Sequence, residues 1–238
     1  PSPPPPMAPN KSPLPPVPSA GATFRAVKAL NATHVWAVGD YGLLMSSKDG
    51  GFTWQDRKNA TGNNNINWRS ICMKAGTSGW VVGEHGNIWY TSDAGDTWLK
   101  EESHANGLHL NGIDCQADGR YGWAVGNSGL ILLRDTFADA SGWQPQTTCS
   151  TGDLNAIRMW PNSREGQVAG ANGKVCYTLS GGNLWTEQLF PRVFSSSTVW
   201  LTLDAPILGL SWVAGSGGAL AVYTGGSPES PPPPPPPP

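Results

Sequence analysis

Apolar and polar residues alternate in short runs along the middle of the chain, and no stretch shows the 3.6-residue spacing typical of helices. Residues 110–115 have a period of two, which predicts a strand with one buried face. Residues 122–125 form a short apolar run, 126–129 read as a hairpin turn, and 130–133 as the strand that returns from it. A further short strand begins at Trp143. The pattern therefore predicts an all-β protein made of short antiparallel strands.

One seven-residue signature occurs five times. The copies are Trp36-Ala-Val-Gly-Asp-Tyr-Gly, Trp80-Val-Val-Gly-Glu-His-Gly, Trp123-Ala-Val-Gly-Asn-Ser-Gly, Gln167-Val-Ala-Gly-Ala-Asn-Gly and Trp212-Val-Ala-Gly-Ser-Gly-Gly. Their first residues, 36, 80, 123, 167 and 212, recur about every 43 to 45 positions. A fixed period in the forties with turn glycines is typical of a propeller blade of about four strands. The glycines suit places where φ is positive or a neighbouring backbone comes close.

These observations predict a five-bladed β-propeller with polyproline II tails at both ends. The expected boundaries are residues 1–21 for a Pro-rich segment, 22–226 for the propeller and 227–238 for a second Pro-rich segment, with blades at about 22–60, 61–102, 103–148, 149–190 and 191–226. The fifth unit lacks an outer strand. We expect residues 17–23 to cover that edge, because an open edge strand invites aggregation. The alternative is a three-stranded fifth blade whose edge meets a proline segment or a neighbouring molecule.

A second motif follows the signature in the first two units. It reads Ser47-Lys-Asp-Gly-Gly-Phe-Thr-Trp54 and Ser92-Asp-Ala-Gly-Asp-Thr-Trp98. A short Asp side chain can accept backbone N–H bonds across such a turn. The motif resembles the Asp-box of BNR-type propellers, and with the signature it is similar to the repeat of photosystem II stability and assembly factors. The resemblance spans about residues 23–226 and implies a propeller fold.

Nineteen of the 23 prolines lie in two tails, within residues 1–18 and 228–238. Proline fixes φ and lacks an N–H, so these tracts predict stiff polyproline II rods without internal hydrogen bonds. Their Ser-Pro runs resemble hydroxyproline-rich glycoproteins of the extensin, algal cell-wall or ciliary-surface type, which implies hydroxylation and O-glycosylation. The residues to which this applies are Ser2, Pro3, Pro4, Pro5, Pro6, Ser12, Pro13, Pro15, Pro16, Ser227, Pro228, Ser230, Pro231, Pro232, Pro233, Pro234, Pro235, Pro236, Pro237 and Pro238.

The four cysteines allow three complete pairings. Cys72 and Cys115 lie on the inner strands of adjacent units, whereas Cys149 and Cys176 belong to one unit. We favour the pairs Cys149 with Cys176 and Cys72 with Cys115; the alternative is buried thiols. No cysteine or histidine spacing indicates zinc. Acceptor sequons for N-glycosylation begin at Asn31, Asn59 and Asn10, the last followed by a proline. Together with the tails, these features favour an extracellular location.

Most of the twelve tryptophans recur at two fixed repeat positions and are expected to pack between blades. The first series is Trp36, Trp80, Trp123 and Trp212, and the second is Trp54, Trp98, Trp143 and Trp185. Four others fall outside both series and are the candidates for exposed stacking surfaces, as in sugar binding: Trp68, Trp89, Trp160 and Trp200.

Charge and acidic residues bear on activity and partners. The formal net charge is −2 and only 13% of residues are charged, so no basic surface for nucleic acid is expected. No apolar run approaches the length of a membrane span. Of the acidic residues, Asp114 alone is assigned to an inner strand; Asp49 and Asp93 are explained by turns, and the Glu101-Glu102 pair is expected in a solvated loop. We therefore expect no catalysis and no cofactor.

The function predicted from the sequence is that of a non-catalytic extracellular structural glycoprotein. Propeller beads would be joined by glycosylated rods into a fibre, cell wall, matrix or surface appendage, with other copies or related chains and covalent glycans as partners. The alternative is a carbohydrate- or protein-binding propeller, either a lectin or a chaperone of the photosystem-assembly type.

Overall fold

A computed structural model describes residues 21–62, 65–73, 77–137, 142–162, 164–188, 195–207 and 210–224. These residues form strands and single turns of 3-10 helix, and they contain no α-helix. The predicted all-β class is confirmed. Within these ranges no helix is long and apolar enough to span a lipid bilayer. The two proline tails lie outside the described residues.

The strands follow one another at short intervals along the chain. In order they are β1 Phe24–Ala29, β2 Val35–Gly39, β3 Leu44–Ser47, β4 Gln55–Asp56, β5 Trp68–Met73, β6 Gly79–Gly83, β7 Ile88–Thr91, β8 Leu99–Glu101, β9 Leu110–Cys115, β10 Tyr121–Gly126, β11 Ile131–Asp135, β12 Gln144–Pro145, β13 Leu154–Met159, β14 Gly166–Gly170, β15 Val175–Thr178, β16 Thr186–Glu187, β17 Trp200–Ile207, β18 Leu210–Gly215 and β19 Leu220–Thr224. The 3-10 turns are Asp40–Gly42, Lys58–Thr61, Glu84–Gly86, Asn127–Gly129, Ala171–Gly173 and Ser216–Gly218.

The described strands form five antiparallel sheets in which each strand pairs with the next along the chain. Their orders are β1-β2-β3-β4, β5-β6-β7-β8, β9-β10-β11-β12, β13-β14-β15-β16 and β17-β18-β19. In the third sheet, Trp123 of β10 lies opposite Asp114 of β9 and Leu133 of β11. The strands and the hairpin expected in this unit are therefore present, and each sheet is a simple meander.

The glycines of the signature serve two different purposes, as the third sheet shows. Gly126 has extended backbone, and a Cβ there would collide with the carbonyl oxygen of His109, which precedes β9. Gly129 instead has φ of 73°, in the left-handed region where glycine is unstrained. The first glycine thus allows close approach of two backbone segments. The last allows the turn and also a close approach, since a Cβ there would collide with the carbonyl oxygen of Ser150.

The sheets pack face against face in chain order, with a hydrophobic cluster between neighbours. Between the second and third sheets, Trp80, Val82 and Ile88 pack on Leu110 and Ile113. The first strands, β1, β5, β9, β13 and β17, are called the inner strands. They lie side by side in that order and line a channel. The sheets are therefore arranged one after another around this channel, as in a propeller.

The fifth sheet has three strands among the described residues. Part of the segment expected to complete it lies elsewhere, because residues 21–23 lead into β1 and the Thr23 carbonyl accepts the Asp40 N–H within the first sheet at 2.9 Å. This part of the expectation is wrong, since the bond to Asp40 ties the segment to its own unit. Residues 17–20 lie outside the described ranges.

Candidate functional site

The channel between the inner strands is a concave feature lined by residues of all five sheets. Its hairpin end, the end beside the 3-10 turns such as Asp40–Gly42, holds a cavity of about 240 Å³. The residues that line it are Arg25, Ala26, Arg69, Ser70, Asn111, Gly112, Ile113, Asn155, Ala156, Ile157, Leu201 and Thr202. The second residue of each inner strand is among them, so the repeat places the same position of every unit at one mouth.

Four of these second positions are polar, and three of them tie neighbouring sheets together. Arg69 Nη1 donates to Asn111 Oδ1 at 2.7 Å. Asn111 Nδ2 donates to the carbonyl of Leu154 at 2.9 Å, and Asn155 Nδ2 to that of Trp200 at 2.9 Å. Hydrogen bonds therefore run around the mouth from the second sheet to the fifth and hold the side chains in fixed positions.

Arg25 and Arg69 bring positive charge to the mouth, each with a carboxylate beside it. Arg25 Nε and Nη2 donate to the two oxygens of Asp40 at 2.8 and 3.1 Å, a bidentate pair. These hydrogen bonds hold the pKa of Asp40 below its usual value. Burial acts to raise the pKa of Glu84, but hydrogen bonds from Arg69 and Asn67 outweigh it and leave the pKa lowered. Both carboxylates therefore remain ionised and orient the guanidinium groups.

The tips of the 3-10 turns surround this mouth. Tyr41, at φ of 55°, is 54% exposed and presents an aromatic ring at the rim. The Tyr41 N–H is capped by Asn67 Oδ1 at 2.9 Å, and the His85 N–H by His109 Nδ1 at 3.0 Å. Since each cap comes from the next sheet along the chain, the rim is fixed by contacts between sheets.

The opposite end of the channel holds a second cavity of about 250 Å³. Asp114 is buried there; its Oδ2 accepts the Met159 N–H at 2.8 Å and its Oδ1 lies 3.5 Å from Arg158 Nη1. Arg158 Nε also lies 3.8 Å from Asp204, which belongs to β17. Asp114 is thus not the sole acidic residue on an inner strand. The sequence assignment missed Asp204 because the fifth unit has a longer, irregular inner strand.

Both favoured disulfides are present. Cys72 and Cys115 join the inner strands β5 and β9, with Cα atoms 6.1 Å apart, and line the second cavity. Cys149 and Cys176 are joined with Cα atoms 6.5 Å apart. The first bridge therefore links two sheets at the channel wall, and the second ties the segment entering the fourth sheet to that sheet.

The tryptophans expected to be exposed are not. Trp68, Trp160 and Trp200 are buried, and Trp89 is half-buried against the cluster between the first two sheets. Trp68 and Trp200 begin their inner strands, where Leu110 and Leu154 stand in other units, and this position faces the preceding sheet. The expectation was wrong because Trp68 and Trp200 fill a packing position that leucine occupies in the third and fourth units.

Some of the remaining predicted site residues lie in the described ranges of the chain, and the others lie outside them. Asn31 lies in an exposed loop, and its Oδ1 accepts the hydroxyl of Thr33, the third residue of its sequon, at 2.9 Å. Asn59 lies in the turn Lys58–Thr61. Asn10 and every proline and serine predicted to be modified lie outside the described ranges. Within those ranges no cluster of three or more acidic, histidine or cysteine side chains offers a metal site.

Glu101 is a residue whose role the sequence did not reveal. It belongs to β8, and its Oε2 accepts indole N–H bonds from Trp80 and Trp143, each at 2.8 Å. Its Oε1 lies 3.5 Å from Arg134 Nε. The expectation of a solvated loop was wrong for this residue, because the signature tryptophan Trp80 and Trp143 of the adjacent sheet converge on it.

Comparisons with known proteins add to this geometry. Residues 19–107 match the family described as photosynthesis system II assembly factor YCF48. The match covers less than half of the chain. No curated protein matches the sequence at a significant level.

Many solved structures share the architecture. A structure described as YCF48 bound to D1 peptide aligns over 86% of this chain and 92% of that chain, with 16% identity and a TM-score of 0.39. The structure of U3-55K aligns over 87% of this chain with 7% identity and a TM-score of 0.69, and the chain spans 62% of its length. The chain thus has a propeller-type fold, and its first part carries BNR-type repeats.

Proposed function

We propose that this chain is a non-catalytic, protein-binding propeller of the photosystem-assembly type, which holds a segment of another protein at the hairpin end of its channel. The observation that carries the proposal is the pair of oriented guanidinium groups at that mouth, Arg25 and Arg69. Both arginines lie inside residues 19–107, where the assembly-factor family matches. Function is thus assigned to the site and not to the fold alone.

The chemistry of the mouth suits a peptide. A guanidinium group carries five N–H donors, and Arg25 uses two atoms on Asp40 while its side chain remains 51% exposed. A peptide carboxylate or backbone carbonyl can accept hydrogen bonds from the other N–H groups of the guanidinium. Tyr41 at the rim offers an aromatic surface for an apolar side chain. Because Asp40 and Glu84 balance the two arginines, the site favours hydrogen-bonding groups over a highly charged ligand.

A binding experiment on the full chain tests this proposal. Peptides tiled across photosystem II subunits, the partner class named by the family description, are titrated by fluorescence anisotropy. For a peptide that binds, the double variant R25Q/R69Q should weaken affinity at least about tenfold, since each charged hydrogen bond contributes roughly 1.5–3 kcal/mol. The matched control is R120Q, which removes an arginine paired with Asp135 outside the channel lining. Equal loss in both variants, or no loss in R25Q/R69Q, would contradict the assignment.

A second candidate function is the structural glycoprotein, in which copies of the chain are joined in a filament or matrix outside the cell. Two disulfides favour it, because such bridges persist in oxidising compartments, and so does the exposed sequon at Asn31. In this proposal the serines and prolines of the tails are hydroxylated and glycosylated, and the glycans stiffen the rods.

Mass spectrometry of tail peptides from native material separates the two candidates. The structural glycoprotein predicts hydroxyproline with attached pentose or hexose on peptides from residues 1–18 and 228–238, with the central residues serving as an unmodified internal control apart from sequons. Tail peptides that carry neither hydroxyl groups nor sugars would reject this candidate and leave the binding module.

A further inference from the structure

Neighbouring sheets share one interface that recurs around the channel. The sheet that comes first in the chain contributes its signature tryptophan and a buried residue of its third strand, such as Trp80 and Ile88. The following sheet contributes two residues of its inner strand and the tryptophan after its turn motif, such as Leu110, Ile113 and Trp143. The two rings Trp80 and Trp143 meet edge to face with centroids 5.9 Å apart. We call the face that carries the signature position and the third-strand residue the trailing face of a sheet. The face that carries the inner-strand residues and the later tryptophan is its leading face, and the two differ in composition.

The trailing face of the fifth sheet is uncovered by described residues. Trp212 is 39% exposed, whereas its counterparts in the first three sheets are buried. Leu220 of β19 is 67% exposed, although the matching residue of each other sheet, such as Ile88, is fully buried. Val222 is exposed on the same strand. A continuous apolar face of this kind is rare on a monomer and marks an interaction surface.

The leading face of the first sheet is uncovered in the same way. Val27 is 70% exposed, whereas the matching residue of the second inner strand, Ile71, is buried. Phe24 is 46% exposed in the position that Trp68 occupies in the second sheet. Trp54 is only half-buried, unlike Trp98 of the next unit. The first sheet therefore exposes a leading face, which is the kind of face that covers a trailing face at the internal interfaces. The trailing face of the fifth sheet has no such cover among the described residues.

Two further observations show that these faces do not meet within the described chain. Each inner strand packs on the next, but β17 and β1 share no comparable contact. In the first three sheets the turn is capped by a side chain of the next sheet; the Ser128 N–H, for instance, bonds Asp153 Oδ1 at 2.9 Å. At Gly217 and Gly218, the same turn of the fifth sheet, no other part of the described chain lies within 4 Å of a Cβ position. The ring of sheets is open there.

We propose that a second copy of this chain occupies these faces, with the trailing face of one copy packed on the leading face of the next. The two faces are complementary because they are the halves of an interface that the molecule already builds internally, with both tryptophans at the first three junctions. Trp212 of one copy then meets Trp54 of the next copy edge to face, as Trp36 meets Trp98 at 5.9 Å. Because the two faces differ, the contact is heterologous and leaves one face of each kind exposed after every addition.

The chain's own tails are the competing occupants. They hold nineteen of the 23 prolines, and proline has no large aromatic ring of the kind that the internal interfaces use. A whole sheet of a second copy supplies such a ring. This inference is independent of the proposed peptide site, since neither Arg25 nor Arg69 belongs to the two faces.

Mixing single-face variants of the full chain tests the proposal. L220E disrupts the trailing face and V27E the leading face, and both side chains are exposed within one copy, so each variant should fold. We expect the unaltered chain to form species larger than a dimer with rising concentration in sedimentation velocity. Each variant alone should stay monomeric, and an equimolar mixture should give a 1:1 dimer and nothing larger, because one intact face of each kind remains.

The matched control is L99E, which alters an exposed leucine of β8 outside both faces and should assemble like the unaltered chain. Three results would overturn the proposal: an unaltered chain that is monomeric over the whole concentration range, assembly that persists in both single variants, or a mixture that gives no dimer. In the first case, hydrogen exchange that shows both faces protected in the monomer would assign them to the tails.

Discussion

At the scale of single residues, Glu101 has the largest structural role that the sequence concealed. Its carboxylate accepts the indole N–H of Trp80 and of Trp143, which belong to adjacent sheets. Both rings are completely buried, so neither N–H can turn to water. One carboxylate thus satisfies two buried donors and fixes the edge-to-face pair between the second and third sheets.

We expect Glu101→Ala to destabilise the chain by roughly 1–3 kcal/mol for each indole N–H left unpaired. Glu101→Gln should cost less, because its amide oxygen can still accept one of the two bonds. Urea unfolding followed by tryptophan fluorescence measures the change.

The neighbouring carboxylate provides the control for this experiment. Glu102 is exposed, and its side chain accepts one backbone N–H, that of His104, at 3.3 Å. Glu102→Ala should therefore leave the unfolding midpoint almost unchanged. Equal effects of the two alanine variants would show that the indole bonds do not contribute.

At the scale of the element, the Asp-box turn joins the third and fourth strands of a sheet. Asp93 Oδ1 accepts the Thr97 N–H at 2.9 Å and Oδ2 accepts the Thr97 hydroxyl at 2.6 Å. Asp49 makes the same bonds with Thr53. In the fourth sheet the hydroxyl of Ser180 takes the place of the carboxylate and accepts the Leu184 N–H at 3.0 Å. The turn therefore persists where the motif has decayed, because any short acceptor at this position can close it.

The Asp-box predicts a specific pH dependence. Hydrogen bonds from the side chain and backbone of Thr97 lower the pKa of Asp93 from 3.8 to about 2. A carboxylate with a depressed pKa in the folded state contributes stability that is present above its unfolded value and is lost as pH falls through the folded value. We expect the difference in unfolding midpoint between the natural chain and Asp93→Asn to shrink as pH falls from 4 to 2.

Asp96→Asn is the control for the Asp-box variant. Asp96 stands in the same turn, but its side chain is largely exposed and pairs with Arg57 at 3.0 Å. Its variant should retain the acid-dependent loss of stability seen in the natural chain. A constant difference between the natural chain and Asp93→Asn across this pH window would contradict the assignment.

At the scale of the whole molecule, stability comes from interfaces between sheets. The second, third and fourth sheets each bury one face on the preceding sheet and the other on the next, and the Cys72–Cys115 bridge adds a covalent link between the second and third. The first and fifth sheets each keep one such face uncovered by the described residues. The five sheets thus form a repeat array with two ends. Peptide binding at the mouth and head-to-tail assembly both use surfaces that this array leaves accessible.

The sequence by itself determined the features that depend on neighbours along the chain. The period of the signature gave the repeating units, the alternation of residues 110–115 gave an inner strand, and the glycines of 126–129 marked the hairpin. The disulfide preference also followed, because Cys72 and Cys115 were assigned to the inner strands of adjacent units and Cys149 and Cys176 to one unit.

Only the tertiary structure decided what depends on neighbours across sheets. Trp68 and Trp200 are buried while Trp212 is exposed, although all three are tryptophans on strands, because burial depends on whether another sheet covers that face. Glu101 is a structural acceptor because two distant indole rings converge on it. The open junction between β17 and β1 was likewise invisible, since a period fixes the size of a unit but not the angle at which units close a ring.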